Sequence, residues 1–254
     1  MDIASVIGIL TAVGAVISSF WLEGGKADSV FLVAPMILVV GGTIGVSIVG
    51  ANGRVALNLP TYLRISFFGK GEDHAALIDQ IVHIAERARR DGILSLEREL
   101  KALPNRFFAK ATLLVIDGVD VNALREVLYT EISYMTQRHQ RGIDLFNRMG
   151  GFSPTLGILG TVLALVHTFG SVDNPDKMAG AIASAFIATL WGVGMANIVY
   201  IPLADKLRTR HEEEVSTMEL IAEGVLAIQA GETPRLIRRR LQSFLSPARR
   251  DVEI

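Results

Sequence analysis

Charged residues are spaced unevenly along this chain, and the gaps between them set its organisation. Four uncharged runs stand out, at 3–22, 29–53, 149–172 and 178–204. Each is long enough for the roughly 20 residues that a membrane-spanning helix needs. The last two are separated only by the polar stretch 173–177, so they read as a helical hairpin. Glu23-Gly24-Gly25 turns the chain between the first two. In the first run Gly8, Ala12 and Ala15 are spaced for close helix contact, and the second contains Pro35 and Gly41-Gly42. Neighbouring helices re-satisfy the backbone around such breakers in a membrane.

Between the second and third runs the pattern changes to amphipathic. LNLPTYLRISFF at 57–68 mixes apolar, aromatic and basic residues, as expected of a helix lying along the inner interface, and Gly69-Lys70-Gly71 breaks it. Leu77, Ile78, Ile81, Val82, Ile84 and Ala85 recur at helical spacing, predicting a helix over 72–90 that Gly92 ends. A second helix is expected over 93–103 with Leu94, Leu96, Leu100 and Leu103, stopped before Pro104, and a third, largely buried, over 107–116. Asp117-Gly118-Val119-Asp120 reads as a turn whose Asp120 caps the next helix. From Val121 the pattern stays helical to Arg148, so one long helix should lead almost straight into the third run. After residue 204 a polar helix is expected to continue to 230. In the tail beyond it, six arginines surround Leu236, Ile237, Leu241 and Phe244. Contact with anionic lipid and packing on its own domain are both compatible with that tail.

The fold class is therefore an all-α membrane protein. Four transmembrane helices (1–22, 29–50, 149–171 and 179–203) carry a helical cytoplasmic domain at 51–148, inserted between helices two and three, and a helical cytoplasmic tail at 204–254. Composition agrees: 50% of the 254 residues are hydrophobic and mean hydropathy is +0.39. A net charge of −1 leaves no footprint for nucleic acid, and zero cysteines remove disulfides and thiolate chemistry. Lys and Arg concentrate at 51–150 and after 204, while the two short hairpin loops hold only Lys26 and Lys177. The positive-inside rule then puts both termini in the cytoplasm. A cleaved signal peptide is the rival for the first run, but Asp2 replaces the usual basic start and no A-x-A site precedes Glu23.

Enzyme motifs are missing: there is no GxxxxGK[ST] loop, no H-E-x-x-H and no nucleophile elbow. His74, His83, His139 and His211 lack metal-ligand spacing, so neither a metal nor a cofactor is expected. Within the spans there is no Asp, Glu, Lys or Arg, and His167 lies near an outer end. Pumps place such charges in the bilayer despite a cost of about 2.5–3.5 kcal/mol. If ions pass here, a partner brings the carboxylate. The spans themselves offer small residues and hydroxyls. Ala181, Ala185, Ala188, Thr189, Gly192 and Ala196 form one stripe, and Gly157, Gly160, Thr161 and Ala164 another. On residue type alone, helix packing is favoured for them over ion contact.

GGFSPTLGILGTVLALVHTFG and AIASAFIATLWGVGMANIVYIPLA, with Glu23-Gly24-Gly25, FLVAPMILVVGGTIG, ARRDGILSLERE and LLVIDGVD, resemble the MotA/PomA family of flagellar stator subunits along nearly the whole chain. The resemblance implies a pentameric ring in the bacterial inner membrane, around MotB/PomB-type subunits whose membrane helix carries the ion-binding Asp. Ion flow through the complex would drive torque on the rotor protein FliG. It also implies that Thr155 and Thr189 line the ion path and that Ala181, Ala185, Ala188 and Gly192 face the partner helix. Pro154 and Pro202 match the family's conformational prolines. Arg89 and Glu97 match its rotor-facing charges, with Arg90 and Glu99 beside them. Without the family, Arg89 and Glu97 would read as an i, i+8 pair of solvated helix charges. Sodium-driven members tend to carry a threonine where Ala188 stands, so a transported proton is expected over Na⁺. An ExbB/TolQ-type energiser of envelope proteins and a non-conducting scaffold are the alternatives.

Overall fold

The computed structural model describes residues 3–26, 29–51, 53–68, 71–170 and 173–250. Most of the expected break at Gly69-Lys70-Gly71, the end of the first loop at Ala27-Asp28 and the last four residues of the tail lie outside the described residues. Every element among the described residues is helical. In chain order these are α1 (Ile3–Leu22), α2 (Val33–Val49), α3 (Gly53–Leu57), α4 (Leu59–Phe68), α5 (His74–Asp91), α6 (Arg106–Ile116), α7 (Val121–Phe169), α8 (Pro175–Gln229) and α9 (Pro234–Leu241). They divide into two compact units, 1–69 with 139–209, and 70–138 with 210–254, so α7 and α8 each contribute to both.

The first unit contains the apolar helices. Three helices, α1, α7 and α8, are long and apolar enough to cross a membrane, and α2 is a shorter apolar helix at 33–49. Not one residue of the α1 stretch Ser5–Leu22 is buried, and Ile7, Leu10 and Trp21 are more than half exposed. An apolar helix so bare is suited to hydrocarbon rather than water. Pro35 sits in the first turn of α2, where its missing N–H costs no helical bond. Just beyond it the helix widens into an i→i+5 turn at Ile37–Gly41. A similar widening at Met195–Tyr200 in α8 lies just ahead of Pro202. There the wider turn relieves the clash between the proline ring and the carbonyl four residues back. The long α7 runs unbroken through Gly142, Gly150-Gly151 and Pro154. At Gly142 the bare backbone receives the Tyr62 ring of α4, which would lie 2.8 Å from a Cβ there.

The second unit is a helical bundle around its own apolar core. Side-chain oxygens start four of its helices: Asp73 accepts from Ala75 N, Asn105 from Phe107 N and Phe108 N, Asp120 from Asn122 N and Ala123 N, and Thr233 from Leu236 N. Ile81, Phe108, Leu124, Leu128 and Ile221 are essentially fully buried together. Gly224 lets α8 approach α5, since a Cβ there would meet Ile81 at 2.6 Å. Ile237 and Leu241 of α9 are buried in the same core, and Arg238 reaches Asp79 at 2.7 Å. The basic tail therefore packs on its own domain. One element departs from expectation. The helix expected over 93–103 is instead a pair of tighter 3₁₀ turns, Ile93–Arg98 and Leu100–Ala102, launched from Gly92 at φ +84°. Only Leu96 of its four leucines is fully buried, and Leu94 is 76% exposed, so no continuous apolar face holds a longer helix there.

Phe108→Ala should destabilise this core by about 3–5 kcal/mol, and Asn105→Ala by about 1 kcal/mol through loss of the cap. Denaturant unfolding of the full chain in detergent, followed by circular dichroism, measures both.

Candidate functional site

In the first unit, α7 and α8 meet at their backbones. A Cβ on Gly157 would lie 2.9 Å from the Ala188 carbonyl oxygen and 3.1 Å from Gly192 Cα. One on Gly160 would lie 2.7 Å from Ala188 Cβ, and one on Gly192 2.8 Å from the Ser153 carbonyl oxygen. Only glycine permits each approach. Ser153 Oγ donates to the Gly192 carbonyl at 2.9 Å across the same buried contact. Trp191 fastens α8 to the start of α2, donating through Nε1 to the Val30 carbonyl at 2.8 Å while its ring meets Phe31 edge-on.

This contact takes up the small residues of α8. Ala181, Ala185, Ala188 and Gly192, which the resemblance sets toward a partner helix, are all buried within the single chain. Ala188 and Gly192 are spent on Gly160 and Gly157. The physical reason is that small-residue stripes on consecutive helices joined by a short loop find each other first.

The two threonines stand differently. Thr155 is exposed on α7 and donates to the Phe152 carbonyl at 2.7 Å, leaving its oxygen lone pairs as acceptors. It follows Pro154, which is half-buried and carries no N–H for the Gly150 carbonyl. Thr189 is half-buried on α8, with its Cα 3.3 Å from where a Gly157 Cβ would be, and its hydroxyl has no hydrogen bond among the described residues. The two hydroxyls do not bond to each other. Pro202 is exposed on α8 beyond the widened turn.

Two buried hydroxyls on α2 escaped the sequence reading. Thr43 and Ser47 are 0% and 1% exposed, and neither Oγ has a partner among the described residues. Their i, i+4 spacing was the available signal, because it places both on one face of α2.

In the second unit the four expected charges separate into two classes. Gly92 ends α5, so Arg89 lies in the last helical turn and Glu97 in the following 3₁₀ turn. They are not on one helix, as an i, i+8 pair would be. Arg90 is held by its neighbour, donating through Nε and Nη2 to Asp91 at 3.1 and 3.2 Å. That hydrogen bond raises the Arg90 pKa and lowers that of Asp91. Glu99 is held by Arg87 at 3.2 Å, and Arg87 also reaches Asp91 at 3.6 Å. Arg89 and Glu97, both exposed, have no partner among the described residues. The fully buried Leu96 and the hydrogen bond from Ser95 Oγ to the Gly92 carbonyl at 2.6 Å fix the turn that presents Glu97.

Known proteins resemble this chain in sequence and in fold. The sequence matches the MotA/TolQ/ExbB proton channel family over residues 99–220. It is 33% identical to the chemotaxis protein PomA of Vibrio alginolyticus over 254 residues, covering 100% of this chain and 99% of that protein. Its fold is similar to the structure of C. jejuni MotAB, with a TM-score of 0.93 at 26% identity over 100% of both chains. It is also similar to the flagellar MotAB stator complex from Bacillus subtilis, with a TM-score of 0.89 at 29% identity over 96% of each.

Gly157→Val and Gly192→Val should each destabilise the α7–α8 contact by about 1–3 kcal/mol or more. Gly180→Ala, with open space around it, should be neutral or slightly stabilising. Thermal unfolding of the detergent-purified chain separates the two outcomes.

Proposed function

The chain belongs to the MotA/TolQ/ExbB proton channel family, in its flagellar MotA/PomA branch, and on that premise we propose how it works as a stator subunit. It assembles with a MotB-type subunit in a ring of five, in the bacterial inner membrane, with four spans and both termini in the cytoplasm. The ring converts ion flow into torque on FliG. A carboxylate must come from the partner, since this chain's own spans hold none. The Thr155 and Thr189 hydroxyls then offer oxygens along the ion path. The partner helix is met by the exposed side of α7 that carries Thr155, Leu159 and Val162, because Ala188 and Gly192 of α8 already pack on Gly160 and Gly157. Pro154 and the widened turn before Pro202 are where these helices bend, as each frees the backbone from its regular ladder.

The observation that carries the reading is the pair of exposed, unpartnered charges, Arg89 and Glu97, held while Arg87, Arg90, Asp91 and Glu99 neutralise one another. Exposed charges of opposite sign on a fixed turn suit repeated engagement, because rim charges govern encounter and salt dependence more than tight binding. Stepping past a rotor requires fast release.

A proton is the favoured ion. Position 188 is an alanine packed on Gly160, so it adds no oxygen to a coordination shell for a bare Na⁺.

Expression with the cognate MotB-type partner in a strain lacking its own stator tests the whole reading. Tethered cells should rotate with and without Na⁺ and stop with a protonophore. Rotation in Na⁺ alone would replace the ion, and assembly without rotation in either buffer would favour the envelope energiser or the scaffold. Arg89→Glu and Glu97→Arg should each abolish most torque, since like charges brought together cost several kcal/mol. Arg90→Ala and Glu99→Ala, whose charges are already engaged, should keep most of it.

A further inference from the structure

Where α2 ends and α3 begins, the chain faces α7 across a cavity of about 230 Å³. That is the volume of about eight liquid waters at about 30 Å³ each. One wall is the corner Gly50-Ala51, and the other is the α7 face bearing Arg141, Asp144 and Arg148. The buried Val55 and Leu145 make its apolar lining. Arg141 and Arg148 are two helical turns apart, so both guanidiniums address one opening. Arg148 donates through Nη1 to the Gly50 carbonyl, which ties the corner to α7 and leaves most of its donor fork free. Arg141 is exposed and has no partner among the described residues. Asp144 is half-buried, accepts from Gln140 Nε2 at 2.8 Å and pairs with neither arginine. Two cations against one anion leave the cavity net positive.

Its depth narrows the ligand. Arg148 is the last charged residue before the uncharged run 149–172, and Ala51 follows the apolar helix α2. The cavity therefore lies where two spans leave the hydrocarbon, on the side with the Lys and Arg excess. That is the level of lipid phosphates, and the cytoplasmic leaflet is the anionic one. In the basic tail, three of the six arginines, Arg238, Arg240 and Arg249, are already paired with Asp79, Glu232 and Asp73.

We propose that this cavity is a phosphate site filled by the headgroup of an anionic phospholipid of the inner leaflet, held by Arg141 and Arg148. The proposal rests on the membrane orientation given under the proposed function. Its apolar lining of Val55 and Leu145 receives the start of an acyl chain, and its fork donors match phosphate oxygens. The bound headgroup pins the start of the third span to the end of the second.

The test uses the full chain with its MotB-type partner, reconstituted in nanodiscs of phosphatidylcholine with phosphatidylglycerol and released for native mass spectrometry. Wild type should retain phosphatidylglycerol in preference to phosphatidylcholine. Arg141→Gln leaves the Arg148–Gly50 tie intact and should bind it about tenfold more weakly, equivalent to about 1.4 kcal/mol. Arg141→Lys should recover part of the loss. Equal retention by wild type and Arg141→Gln would overturn the site. Displacement of the lipid by inorganic phosphate would assign the cavity to a soluble phosphate and overturn the lipid as its occupant. Failure of the underlying orientation reads out separately, in the otherwise cysteine-free chain, as labelling of an Arg138→Cys variant by a membrane-impermeant maleimide from the periplasmic face alone.

Discussion

The contact between α7 and α8 is a contact of backbones, and the apolar unit depends on it. Hydrocarbon tails are as apolar as leucine, so helices in a bilayer gain little by burying leucine against leucine. The remaining forces are close van der Waals packing and the occasional interhelical hydrogen bond. Gly157 and Gly192 bring the two main chains to within about one methyl group of interpenetration, and Ser153 adds its bond to the Gly192 carbonyl there. Such a bond is worth about 0.6 kcal/mol in a membrane protein. Shape therefore contributes more than polarity. Any side chain at either glycine would have to displace backbone, which cannot yield as a side-chain tip can.

That rigid contact sits beside features that loosen a helix. Pro154 is one residue from Ser153, and the widened turn Met195–Tyr200 starts three residues beyond Gly192. Each leaves backbone carbonyls outside the regular i→i+4 ladder. Helices clamped at one level and freed at an adjacent level can bend there without separating. Carbonyls released near the hydroxyl of Thr155 add acceptors to a span that has no charged group of its own. In the proposed stator, a pathway of hydroxyls and carbonyls with the carboxylate supplied by the partner would keep the cost of a buried charge off this chain.

The second unit solves a different problem, that of presenting charge without losing it to a neighbour. Four charges around Gly92 satisfy one another, and these pairs are surface-exposed, where each is worth at most about 1 kcal/mol. Their effect is selective rather than stabilising. They occupy Arg87, Arg90, Asp91 and Glu99 and leave Arg89 and Glu97 available, Arg89 on α5 with its buried Ile84 and Ala85, and Glu97 on the turn anchored through Leu96. Gly92 at φ +84° separates the two by breaking the helix between them.

Much of this was legible in the order of the residues. The uncharged runs, the caps at Asp120 and the period of Leu77 to Ala85 are local properties, set by solvation and by helix geometry within a few residues. So are the helix end at Gly92 and the long helix from Val121. The tertiary structure alone decided which stripe met which. An alanine stripe on α8 presents the same small face to a foreign helix or to its own neighbour, and the glycines at matching depth on α7 determine which one takes it. It also decided which charges stay free, since pairing depends on distances across a turn that spacing along the chain does not contain. The leucines of 93–103 show the same limit. Their spacing is helical, but a helix persists only where a complementary surface buries that spacing, and here the core accepts Leu96 alone.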